Sequence, residues 1–120
     1  MQTRLPKPKG ELMQTIADEW RTARKPHDCK LCRRQIEPGE RYRHQRNTES
    51  GDIWTWRHCS HCEPLINLLS RQGWDDEYGV TYEFVAEWDP ESIAEARLKV
   101  GWKRKWRRRD GSLYPVGGDA

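Results

Sequence analysis

No stretch of the sequence approaches the ~18 consecutive apolar residues that a membrane-spanning helix requires. Its start is basic and proline-interrupted, with Arg4, Pro6, Lys7, Pro8 and Lys9, and no apolar segment of the kind found in a secretory signal follows it. These absences argue against a membrane partner and against export, so a reducing, cytoplasmic setting is expected. Apolar residues in general are scarce. Hydrophobic and charged residues each make up 34% of the 120, and mean hydropathy is -1.13. One domain with a thin core is the consequence, since a small chain buries a small fraction of its surface. Seven Trp and four Tyr partly compensate, each ring burying more area than an aliphatic side chain. A core this thin ordinarily needs a covalent or metal staple.

The four cysteines supply one. All of them fall into two C-x-x-C knuckles, Cys29-Lys30-Leu31-Cys32 and Cys59-Ser60-His61-Cys62, with 26 residues between and no cysteine left over. Thiolates at i and i+3 grip a metal from one side, and a second pair completes a tetrahedral sulfur site of the kind Zn²⁺ accepts in closed structural centres. The spacing exceeds the usual 15–20 residues, but an intervening hairpin would bring the ends together. Two disulfides are the alternative, and they need an oxidising compartment. One structural Zn²⁺ on Cys29, Cys32, Cys59 and Cys62 is therefore expected.

Along the chain, residues 1–25 read as a flexible arm and a short helix, with Leu12, Met13, Ile16, Ala17 and Trp20 at helical spacing. Pro26 would end that helix near Arg24. In the 26–73 segment, Glu37-Pro38-Gly39-Glu40 is a turn, and Arg41 to Arg46 and Ile53 to Arg57 alternate as the two arms of a hairpin. Pro64 suits the first turn of a helix bearing Leu65, Leu68 and Leu69, and Gly73 suits its C-terminal cap. The 74–109 segment holds an acidic loop, then a strand predicted from the alternation of Val80, Tyr82, Phe84, Ala86 and Trp88. A helix is predicted to start at Asp89-Pro90-Glu91 and to reach Lys99 or extend past Gly101 to Arg108. Residues 110–120 read as a tail.

Knuckle, hairpin, then a second knuckle at a helix N-terminus resembles the treble-clef zinc fingers. The match lies in Cys29-x-x-Cys32, Gly39-Glu40-Arg41-Tyr42 and His58-Cys59-Ser60-His61-Cys62. It looks closest to LIM-like and PARP-like fingers and to short zinc proteins encoded by bacteriophages, and it covers about Pro26 to Arg71. The resemblance implies a small zinc-stabilised α+β treble clef, here extended by a strand and a basic C-terminal helix. Its implications for function are broad, because treble clefs serve nucleic-acid binding, protein binding and nucleases alike. Such fingers often use His as third ligand, so a Cys29, Cys32, His58, Cys62 set stands beside the all-cysteine set. Arg33, Arg34 and His61 would offset the thiolate charge from outside the ligand shell.

The net charge of +3 conceals blocks of opposite sign. Arg21 to Arg46 holds nine basic and three acidic residues, Glu63 to Glu95 holds nine acidic residues against Arg71, and Arg97 to Arg109 is purely basic with eight. A non-enzymatic nucleic-acid-binding protein is the first expectation. Arg33, Arg34, Arg41, Arg43, Arg46, Lys103, Arg104, Lys105, Arg107, Arg108 and Arg109 would meet phosphates, and Trp102 and Trp106 would stack on bases or pack inward. The alternative is a protein-interaction module, such as a phage factor that docks on a host or defence protein through Asp75, Asp76, Glu77, Glu83 and Glu87. No small-molecule substrate is expected. A treble-clef nuclease would need His or Asn ligands on the helix after Cys62, where only Asn67 stands, and membrane-surface binding would need a broader apolar face.

Overall fold

The computed structural model describes residues 13–116. Three antiparallel strands in the order β1-β4-β5 form the main sheet, where β1 is Gln14–Thr22, β4 is Arg41–Glu49 and β5 is Asp52–Cys59. The β4–β5 hairpin appears where its period-2 pattern placed it, though with longer arms. It turns through two residues, Ser50 and Gly51, both at positive φ (52° and 90°), the conformation that matches the twist of paired strands. A second, minimal ladder pairs β2 (His27–Asp28) with β3 (Gln35–Ile36) and brackets the first knuckle. The segment is α+β, as expected, with helices α1 (Glu63–Arg71), α2 (Tyr82–Glu87) and α3 (Ile93–Lys103).

Two elements differ in kind from their sequence pattern. Met13 to Thr22, predicted as helix, includes β1, which runs antiparallel along β4 from Gln14 opposite Thr48 to Thr22 opposite Arg41. Thr15, Ile16, Trp20 and Thr22 suit a pleated edge, and the open edge of the hairpin pairs eight residues of β1, with a register shift at Ile16. Ile16 stays 56% exposed, so the apolar spacing had no core face to fill. Leu12, the first residue of the predicted stripe, lies outside the described residues. The second difference is Val80 to Trp88, predicted as strand. Tyr82–Glu87 is helical there, and helical spacing sets Val85 and Trp88 together in the core while Ala86 faces solvent.

Helix ends are set by side chains and backbone. Glu63 and Pro64 begin α1 directly after Cys62, and its C-terminus is closed by a Schellman motif. Gly73, at φ 83°, donates to Ser70 O (3.1 Å), and Trp74 donates to Leu69 O (2.9 Å). Helix α3 starts three residues later than the Asp89-Pro90-Glu91 pattern suggests, because Ser92 is the cap. Its Oγ accepts from Glu95 N–H (3.1 Å), and Glu95 Oε1 in turn accepts from Glu91 N–H (3.0 Å), a variant of the reciprocal capping box. The helix stops at Lys103. Lys105 and Trp106 both take positive φ (56° and 60°), which turns the chain back on itself before Arg108. Lys99 Nζ reaches the carbonyls of Ala86 and Trp88 at the end of α2, binding the two helices together.

A single core joins these parts. Leu31, Ile36, Tyr42, Leu65, Leu69, Val80, Val85, Trp88, Trp102 and Trp106 pack around the four cysteines. No helix among the described residues is long and apolar enough to cross a membrane.

Candidate metal centre

The second knuckle starts at the last residue of β5 and ends at the first turn of α1, while the first is a tight loop between β2 and β3. Cys29 N–H donates to Arg34 O (2.8 Å), and Arg33, at φ 64°, donates back to Cys29 O (2.9 Å), which folds Cys29 and Cys32 toward one point. Lys30 N–H bonds Arg57 O (2.8 Å), tying that loop to β5. All four sulfurs then lie within 4.8 Å of one another. The Cys29–Cys62, Cys32–Cys59 and Cys59–Cys62 separations are 3.7, 3.9 and 3.6 Å, too long for disulfides. A tetrahedron of ~2.3 Å Zn–S bonds has edges of about 3.8 Å. The cluster has the size of one zinc ion.

Its surroundings also fit a thiolate-bound dication. The cysteines are no more than 3% exposed. Cys32 N–H and Cys59 N–H point at Cys29 Sγ (3.5 and 3.4 Å), and Trp106 Nε1–H at Cys62 Sγ (3.2 Å). Four thiols this close cannot all ionise unaided: hydrogen bonds from Cys29, Cys32 and Cys62 pull Cys59 far down, while burial and hydrogen bonds with Cys29, Cys32 and Cys59 push Cys62 well up. A bound cation removes that conflict. Zn²⁺ is thus a structural cofactor of this chain, held by Cys29, Cys32, Cys59 and Cys62.

His58 is directed elsewhere, which resolves the question of the third ligand. Alternation along β5 puts its ring on the sheet face opposite Cys59. There Nδ1 accepts from Trp56 Nε1–H (2.8 Å), so Nε2–H donates to Glu63 Oε2 (2.5 Å). Both ring nitrogens are occupied. His61 is buried against the centre, with Nε2–H donating to Tyr114 O (2.6 Å) and its ring stacked on Trp106. Arg34, 2% exposed, forms a bidentate pair with Glu40 (2.9 Å for both bonds) beside Cys59 and His61. Burial opposes the Arg34 charge, but the Glu40 carboxylate and the nearby thiolate hold it firmly protonated. Arg34 and His61, two of the three residues expected to offset the thiolate charge, thus lie beside Cys59.

Those placements correct several expected contact residues. Arg34 is inaccessible to a phosphate. Arg43 is committed to Asp18 (2.5 and 2.9 Å) and lies near Glu63 (3.7 Å). Trp102 and Trp106 are 5% and 4% exposed, and Trp102 Nε1–H donates to Leu31 O (2.8 Å), so both pack on the knuckles and neither is open for stacking. Arg41 and Arg46 are exposed on opposite faces of β4, and Arg46 reaches Thr55 Oγ1 (3.4 Å). Arg107 Nη1 bonds Gly111 O (2.7 Å), while Arg104, Arg108 and Arg109 are exposed.

The fold nevertheless brings two distant basic segments together. Arg33, Lys103 and Lys105 line one cleft with Cys32, Tyr82 and Trp102, and no carboxylate lines it. The Arg33 guanidinium lies 3.6 Å from the centre of the Tyr82 ring. Tyr82 escaped the sequence reading because its apparent strand alternation hid its helical position beside the knuckle. Asp75, Asp76, Glu77, Glu83 and Glu87 are all exposed, and none makes an ion pair among the described residues. No family model matches the chain, and neither a curated protein nor a solved structure does.

Proposed function

We propose that this is a non-enzymatic, zinc-stabilised nucleic-acid-binding domain of treble-clef type. One observation carries the reading: Arg33, from the first knuckle, shares a carboxylate-free cleft with Lys103 and Lys105, some seventy positions away. Three cations converging there make a focused positive field, the footprint of phosphate-backbone binding. Arg104, Arg108 and Arg109, exposed nearby in sequence, extend the same basic run. The order of knuckle, hairpin, knuckle and helix supports the treble-clef assignment, and four thiolates leave no open coordination position for hydrolytic chemistry. Free, clustered cysteines suit a reducing cytoplasm.

Fluorescence anisotropy with labelled single- and double-stranded DNA and RNA across a salt series tests this. Log affinity should fall linearly with log salt, and R33Q/K103Q/K105Q should flatten the slope by about 2–3. A salt-independent affinity, or none, overturns the reading.

A second reading, a protein-interaction module of the kind a phage factor would be, draws on the exposed acidic residues. Asp75, Asp76, Glu77, Glu83 and Glu87 are unpaired by the chain's own basic run among the described residues, which leaves them free for a basic protein surface. A stoichiometric complex lost on D75K/D76K, with no nucleic-acid affinity, would favour it.

A further inference from the structure

A larger basic cleft lies beside β2, formed by residues outside those expected to contact phosphate. It is an open hollow of about 930 Å³ lined by Arg21, Arg24, Lys25, His27, Tyr42 and Arg57. The loop after β1 supplies Arg24 and Lys25, and β2 supplies His27. The sheet supplies Arg21, Tyr42 and Arg57 from one face, where Arg21 stands opposite Tyr42 and His44 opposite Arg57. No carboxylate lines the hollow.

Arg21 is neutralised by Glu19 on its own strand (2.6 Å). Arg24, Lys25 and Arg57, by contrast, make no ion pair among the described residues. Arg57 Nε and, beside it, His44 Nδ1 are buried without a hydrogen-bond partner, a costly state for groups so placed. Folding has gathered three uncompensated cations where like charges repel, and has left a guanidinium donor unmet at the edge of the same hollow. Burial is the main cause that holds the His44 ring below its ordinary pKa, with Arg21, Arg57 and Arg46 adding to it and Glu19 partly opposing. A dianion entering the hollow would relieve the repulsion and offer acceptors to all three cations.

We propose that this cleft is a phosphate-binding site, taking a phosphate group on Arg24, Lys25 and Arg57. The group belongs either to the backbone of a nucleic-acid strand or to a free phosphorylated molecule. Because the ligand chemistry is phosphate alone and the residues differ, the site does not depend on the nucleic-acid reading of the Arg33 cleft.

The test uses the full, zinc-loaded chain and follows the Arg57 Nε–Hε and Tyr42 amide signals by NMR. Inorganic phosphate is titrated against chloride at matched ionic strength, and in parallel an oligothymidylate without terminal phosphates. Shifts with inorganic phosphate identify a free-phosphate site, and shifts with the oligonucleotide alone identify a backbone site. R24Q/K25Q should weaken either response roughly ten-fold or more. Arg24 and Lys25 are exposed on a loop, so R24Q/K25Q should keep one zinc per chain and the wild-type circular dichroism. Signals that stay still with both probes, or an R24Q/K25Q response equal to wild type, overturn the proposal.

Discussion

At the scale of single residues, neighbouring positions on β5 do opposite jobs. Cys59 faces the metal, while His58 faces Trp56 and Glu63. C59S should abolish stoichiometric zinc binding and unfold the knuckles, because the metal supplies much of the folding free energy of such sites. H58N should keep one zinc per chain yet lose about 1–3 kcal/mol, since it disrupts a buried donor–acceptor chain. Metal analysis with chemical denaturation separates the two, and zinc loss in H58N would contradict the assignment. Gly101 is the other telling residue. A Cβ there would sit 2.5 Å from the Trp106 ring, so the glycine is what lets Trp106 fold back onto α3 and reach Cys62. In an exposed helix Gly→Ala is stabilising by ~1 kcal/mol. Here overpacking should outweigh that, costing about 1–3 kcal/mol, and a G101A melting temperature above wild type would refute the packing.

At the scale of elements, legibility followed the strength of local constraints. The hairpin was readable because period 2 persisted on both arms around a polar turn, and α1 because Pro64 and Gly73 bracket it. The edge strand β1 and the helix α2 were not, because a handful of apolar residues fits either period and the choice rests on which partner is available. For β1 that partner is the open edge of β4, and Asp18 bonded to Arg43 fastens it there. The Arg43 hydrogen bond is the main cause that holds the Asp18 carboxyl below its ordinary value, against a smaller effect of burial. Its contribution is therefore complete above the ordinary carboxylate range and fades as pH falls through the lower folded value. The pair is about one-third exposed, so D18N should cost only ~0.2–1 kcal/mol. Above about pH 5, hydrogen exchange should quicken in β1 more than in β5. As pH falls toward the ordinary carboxylate range, with zinc still bound, the difference between D18N and wild type should begin to shrink, and a difference that grows would contradict the linkage.

At the scale of the whole molecule, the metal centre is the hub that the composition called for. The cysteines were legible because spacing alone marks them. The cleft of Arg33, Lys103 and Lys105 was not, since only the three-dimensional fold reveals that the turn after α3 lies over the first knuckle. Trp102 near the end of α3 and Trp106 in the turn after it pack against the knuckles, so one centre holds sheet, α1 and the C-terminal segment together. Removing zinc with a chelator under reducing conditions should abolish the near-ultraviolet signal of the buried tryptophans, and acid should do the same as the thiolates take up protons. Zinc K-edge X-ray absorption on the reduced chain measures the central claim most directly. One zinc per chain with four sulfurs at about 2.3 Å is the expected result. A shell containing nitrogen or oxygen at about 2.0–2.1 Å, or substantially less than one zinc per chain, would contradict it.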